Sequence, residues 1–254
     1  MKMKRNVWYY VLPLLSIGLL LFGWLYMSSQ KPELFPTPVE TWARFLRLIK
    51  TPLARVPLYM HILISLRRVV FAVVAACVLG IAFGLLIGWN RTMHATLGTL
   101  FEIIRPIPPI AWIPLITIWF GIGEFSKMFI IFIGTFAIIV NNTYAGVKMV
   151  DDLTISVGKV FGASKSRIFM EFVLPASLPA IFSGIRMAIG VGWAIVLAAE
   201  MVGATAGVGF LIFRGNELRD MPLIFVSMII IGVIGACLSI GASYLERRLC
   251  PWRE

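Results

Sequence analysis

Six stretches of the chain are apolar for long enough to cross a membrane: 8–27, 69–89, 103–123, 128–147, 178–203 and 222–245. A spanning helix needs about 20 mostly apolar residues. The pattern therefore predicts an all-α integral membrane protein with about six transmembrane helices. Three parts follow: an N-terminal transmembrane helix (1–30), an external or interfacial segment (31–68) and a transmembrane core (69–254) that carries a polar cytoplasmic insert at about 150–175.

The first run follows Lys2, Lys4 and Arg5. A basic start before an apolar stretch also fits a signal peptide, but this run is long and no small-residue cleavage site follows it. A retained helix is expected. Within 31–68, "VETWARFLRLIK" reads as an amphipathic helix with Trp42, Phe45, Leu46 and Ile49 on one side, suited to the membrane interface.

Composition agrees with the pattern. Of 254 residues, 59% are hydrophobic and 14% charged, against about 45–50% and about 25% in soluble domains. The net charge of +11 is scattered between apolar runs, which fits membrane topology and not nucleic-acid binding. The side holding both termini and loops 90–102 and 148–177 carries twelve Lys and Arg, the other side ten. Without segment 31–68 the ratio is twelve to three, which favours cytoplasmic termini. Cys77, Cys237, Cys250, His61 and His94 form no metal or disulfide framework. Nucleophile–base motifs and a phosphate loop are missing as well.

Four features carry candidate chemistry. Ala76, Gly80, Gly84 and Gly88 recur every four residues and form a small-residue stripe on one helix face. Gly190 and Gly192 belong to a second small-residue region. Such stripes let helices approach closely in lipid, within one chain or between subunits. The third run holds "RPIPPIAWIPL", with Pro106, Pro108, Pro109 and Pro114. These prolines break a regular helix. Broken backbone at membrane depth lines protein or a water-filled cavity, unless the break is a kink at the membrane edge. Arg186 and Glu200 are ionisable within a span. They lie fourteen residues apart, about 21 Å along a helix, so they need separate partners. Arg105, Pro108, Pro109, Trp112, Arg186, Trp193 and Glu200 are the translocation-pathway candidates.

The fourth feature is "LTISVGKVFGASKSRIFMEFVLP". It reads as two short helices, 152–161 and 165–172, with Gly162 ending the first, Ser164 capping the second and Pro175 ending it. Ile168, Phe169 and Phe172 form an apolar face that suits docking in a partner's groove. A Cβ at 162 is expected to collide at the junction.

Gly162, nine residues and then "FVLP" resembles the EAA-x3-G-x9-I-x-L-P signature of permease subunits of ABC importers. "RPIPPIAWIPLITIWFGIGEFSK", "GIRMAIGVGWAIVLAAEMVGATAGVGFLI" and "LERRLCPW" are similar to the nitrate/sulfonate/taurine branch. The Glu-Ala-Ala head is replaced by Ser156, Val157 and Gly158, and Phe172 stands for the Ile. The resemblance implies a type I ABC importer permease (MetI-like) fold in the bacterial inner membrane. It also implies a second permease copy, an ABC ATPase dimer that holds ATP and Mg, and an extracytoplasmic solute-binding protein. No cofactor or metal belongs to this chain, and no catalytic role. Ser156, Gly158, Phe161, Gly162, Ala163, Ser164, Ile168, Phe169, Leu174 and Pro175 would couple it to the ATPase. The cargo would be a small anion, foremost taurine or an aliphatic sulfonate, with nitrate, bicarbonate and cyanate also handled by this branch. A pyrimidine vitamin precursor or aromatic acid is the alternative. A secondary transporter or channel would leave the docking insert unexplained, and an embedded enzyme would lack its nucleophile–base set.

Overall fold

The computed structural model describes residues 8–249. Lys2, Lys4, Arg5, Cys250 and Arg253 lie outside the described residues. The described chain is helical, with no β-strand: α1 (Trp8–Gln30), α2 (Pro38–Lys50), α3 (Leu58–Trp89), α4 (Arg91–Ile104), α5 (Pro109–Phe120), α6 (Glu124–Lys148), α7 (Asp152–Val160), α8 (Lys165–Met201), α9 (Val208–Glu217) and α10 (Met221–Leu249). Five of these helices are long and apolar enough to span a membrane, and α4 with α5 make a sixth span if the bent pair is one crossing.

Glycine positions set the direction of the central helices. A Cβ on Gly80 of α3 would stand 3.1 Å from Ile139, one on Gly84 2.7 Å from Thr143, and one on Gly88 2.8 Å from Val147. Both series climb by four, so α3 and α6 run parallel at van der Waals distance. The stripe is thus filled by a helix of the same chain. Parallel neighbours require the chain between them to return across the bundle, and α4 with α5 is that return. Across α8 the order reverses. Gly192 meets Thr135, Gly184 meets Asn142 and Gly146 meets Ala180, so α8 is antiparallel to α6. Trp193 Nε1 donates to the Ile231 carbonyl of α10 at 3.1 Å.

This order gives the bundle two ends. One end bears α7 and the last turn of α3, where Trp89 packs at a tilt against Phe169 with centroids 5.5 Å apart. The other bears α2 and residues 202–220. There Thr37 and Glu40 form a reciprocal cap on α2: Glu40 N donates to Thr37 Oγ1 (3.1 Å) and Thr37 N to Glu40 Oε2 (2.8 Å). Arg44 ties α2 to Asp220 at 2.7 Å.

Two expectations need correction. The second spanning helix starts at Leu58, so residues 58–68 continue the core helix and lie within it. Arg67 and Arg68 resemble a helix end in sequence, but both are paired with carboxylates. On α2 Thr41 and Leu48 face the bundle, which leaves Trp42, Leu46 and Ile49 exposed and Phe45 half-buried on the expected apolar side. Finally, Pro175 does not end a short helix. Residues 169–173 form a π-helical turn and the helix continues into its long apolar part. Proline lacks an N–H and crowds the carbonyl four residues back. A widened turn just before it absorbs both defects.

Candidate functional site: a cationic cavity, a docking module and a buried ionic knot

The prolines bend the third crossing by 86° between α4 and α5. The bend opens a cavity of about 1170 Å³ against α6 and α8. Its walls are largely apolar, with Phe83, Phe101, Phe132 and Phe136 prominent. Its polar side chains are Arg105, Asn141, Asn142, Arg186 and Ser239. Arg105 Nη1 donates to Asn141 Oδ1 at 2.7 Å. Arg186 Nη1 lies 2.9 Å from Glu246 Oε2 on α10, with the Arg186 side chain 42% exposed and that of Glu246 8%. Two guanidinium groups therefore line this cavity, and among the described residues no carboxylate does.

Of the predicted pathway residues, Arg105, Pro109, Trp112 and Arg186 line the cavity. Pro108, Trp193 and Glu200 do not. Pro108 is exposed, and Trp193 is buried against α10. Gly190 was assigned to helix packing, yet a Cβ there would meet nothing within 4 Å, and the residue opens onto the cavity.

Glu200 sits in the last turn of α8, in a buried knot at the end that bears α2. Its Oε1 is 2.7 Å from Arg68 Nη1, and its Oε2 accepts from Gly209 N at 2.9 Å. Ser65 Oγ lies 2.7 Å and 2.9 Å from the two carboxylate oxygens and accepts from Val208 N at 2.9 Å. Arg68 also donates to the Ala206 carbonyl at 2.9 Å and forms a two-pronged pair with Glu124 at the start of α6. His61 Nδ1 accepts from Gly207 N at 3.1 Å. The knot fastens α3, α6, α8 and the loop before α9 together. That loop needs glycine at 207, where φ is +131° and a Cβ would run into the Glu200 carboxylate. Sequence reading missed Arg68, Ser65, Glu124 and Glu246. A hint existed: two ionisable groups in one span demand partners elsewhere.

The docking module is compact. Asp151 Oδ1 caps α7 by accepting from Leu153 N at 3.0 Å, and Ser164 Oγ caps α8 by accepting from Arg167 N at 3.3 Å. Gly162, at φ +74°, closes α7 with two bonds: Gly162 N to the Lys159 carbonyl and Ala163 N to the Gly158 carbonyl, both 3.0 Å. This is the paired-bond glycine terminus. No atom lies within 4 Å of a Cβ built on Gly162, so the expected collision is absent and the glycine is required by its backbone angle. Gly158 is the position of close approach: a Cβ there would be 3.1 Å from Ile168. That packing gives a physical reason for glycine in the divergent head.

The apolar docking face is also reassigned. Ile168 and Val173 are buried with Val147, and Phe169 packs on Trp89. The outward apolar surface comes from α7 and its cap: Leu153, Val157, Val160 and Phe161, the last two 85% exposed. Ser156, Gly162, Ser164 and Pro175 are exposed, Ala163 and Leu174 half-buried, and Gly158 and Ile168 buried.

A multi-pass bundle with a broken crossing, an open cavity beside it and a capped polar insert fits a permease subunit of an ABC importer. The chain belongs to the family of binding-protein-dependent transport system inner membrane components, whose model matches residues 76–252. The taurine transport system permease protein TauC of Escherichia coli is 35% identical over 245 residues, covering 94% of this chain and 89% of that protein. The nitrate import permease NrtB of Synechocystis is 34% identical over 244 residues (94% and 89% covered). The bicarbonate transport system permease CmpB of Synechococcus elongatus is 34% identical over 245 (93% and 88%). Among solved structures, an inward-facing methionine ABC transporter MetNI matches with a TM-score of 0.67 at 14% identity, covering 81% of this chain and 97% of that one. An amino acid ABC transporter crystallised with histidines matches at 0.65 and 16%, covering 82% and 97%. These two likenesses concern the fold. Membership in this family implies ATPase and solute-binding-protein partners.

Proposed function

We propose that two copies of this chain form the translocation pathway for a small organic anion, a taurine-like or aliphatic sulfonate, delivered by an extracytoplasmic binding protein. ATP is hydrolysed in a separate ATPase pair, which docks on the exposed face of α7 and the Gly162 turn. Both termini and the docking module then face the cytoplasm, and residues 202–220 with α2 face outward. Alternating access follows from rigid-body rocking of the bundles around the cavity.

The observation that carries the cargo class is the cavity wall, with two guanidinium groups among apolar residues and no carboxylate among its described lining. Arginine recognises sulfonate and carboxylate oxygens through paired donors, and the apolar remainder suits an organic tail. The taurine, nitrate and bicarbonate permeases among its relatives support the same class. The Phe83, Phe101, Phe132 and Phe136 wall also favours a second reading, an aromatic acid.

Uptake of radiolabelled taurine into proteoliposomes with the cognate ATPase and binding protein tests the proposal. Arg105→Gln should lower uptake at least tenfold while the complex still assembles. An unchanged rate would remove Arg105 from the pathway.

A further inference from the structure

The two cavity arginines are not electrically alike. Arg105 is satisfied by a neutral carboxamide, Asn141 Oδ1 at 2.7 Å. Arg186 is held by a carboxylate, Glu246 Oε2 at 2.9 Å. Glu246 is itself buried, reaches Arg186 from α10, and lies outside the cavity lining. Burial keeps its charge close to Arg186 and poorly screened by water. Arg186, with 42% of its side chain exposed, still presents donors to the cavity.

We propose that Glu246 is a specificity-determining residue: its charge offsets that of Arg186 from behind the wall and so lowers the preference of the cavity for a dianion over a monoanion. The proposal rests on the reading of this cavity as the anion pathway. A pathway must hold an ion firmly enough to admit it and loosely enough to release it. Two bare guanidinium groups in an apolar cavity would hold a dianion tightly and slow its exit. With Arg186 offset by Glu246, the two guanidinium groups still supply donors to a single sulfonate. Discrimination then comes partly from charge withheld as well as from contacts made.

The test is equilibrium binding of radiolabelled methanesulfonate (monoanion) and sulfate (dianion) to the purified permease–ATPase complex without binding protein. Glu246→Gln leaves Arg186 uncompensated. An extra charge about 6 Å away, at a dielectric constant between those of protein and water, is worth about tenfold per charge on the ion. The sulfate-to-methanesulfonate affinity ratio should therefore rise about tenfold. Arg186→Gln, which keeps Glu246, should move the ratio the other way; if Glu246→Gln fails to assemble, the double variant Arg186→Gln/Glu246→Gln carries the test, with a ratio about tenfold above that of Arg186→Gln if Glu246 acts on the cavity and equal to it if it does not.

Gly190→Phe separates the two levels of the reading, because its side chain enters the open cavity. If Gly190→Phe binds both ions as the wild type does, or if the wild type binds neither, the cavity reading fails. If Gly190→Phe abolishes binding but Glu246→Gln leaves the ratio unchanged, the cavity reading stands and the role of Glu246 is overturned.

Discussion

Arg68→Met is the most demanding probe of how this bundle is held. The Arg68 side chain is 2% exposed and that of Glu200 0%, and their heads are 2.7 Å apart. Removing the cation leaves a carboxylate buried with only Ser65 Oγ and Gly209 N to stabilise it. Breaking a buried pair on one side costs about 3–5 kcal/mol. Glu124 adds little to that cost, being 45% exposed and still 3.3 Å from Arg67. Glu200→Met should cost less, because Arg68 keeps Glu124 and the Ala206 carbonyl and the main loss is the acceptor of the Gly209 N–H. The double variant Arg68→Met/Glu200→Met removes both charges. What remains is the Gly209 N–H without its acceptor and the Ala206 carbonyl without its Arg68 donor, at about 1–3 kcal/mol per orphaned group, while Ser65 Oγ keeps the His61 carbonyl at 3.2 Å. The double should therefore fall short of the sum of the singles. Thermal and denaturant unfolding of the purified complex, followed by tryptophan fluorescence, measures all four corners of the cycle. Additivity within about 0.5 kcal/mol would refute the pair as a coupled unit.

Other outcomes follow from single contacts. Gly84→Ala would set a Cβ 2.7 Å from Thr143 and 2.9 Å from the Val140 carbonyl; it should destabilise the complex by about 1–3 kcal/mol through overpacking, read as a lower unfolding midpoint. Gly162→Ala should cost about 1–2 kcal/mol from its left-handed backbone and weaken ATPase association in a pull-down, whereas Gly162→Asn should retain most association because asparagine tolerates that region. Equal behaviour of the two would argue against the backbone angle as the constraint. Arg44→Ala breaks a partly exposed pair with Asp220 (20% and 23%) and should cost no more than about 1 kcal/mol, leaving uptake close to wild type.

Much of the site was legible locally. Gly162 with Ser164 marks a helix end and a helix start, since a positive φ and an orphaned N–H are local demands. The proline run marks a broken crossing for the same reason. The small-residue stripe is also local in origin, because side-chain volume at every fourth position shapes one helix face. Other features depend on distance in sequence. Arg68 looked like a boundary charge because Glu200 is 132 residues away. Gly190 looked like a packing residue because its neighbours on the stripe are packed. Ile168 and Phe169 looked outward because an amphipathic face does not reveal which of two partners covers it.

The amino-acid order by itself determined that this chain is a membrane bundle, about where its crossings lie, where one of them breaks and where the glycine turn of its polar docking insert falls. Each of these depends on residues within a few turns of one another. Only the tertiary structure decided that α3 and α6 run parallel with their small residues filled, that Arg105 and Arg186 share a cavity, and that Glu246 and Arg68 complete ionic pairs across the bundle. Those outcomes arise from packing between distant segments. In a membrane every buried charge must find its partner somewhere, but the chain's local pattern does not say where.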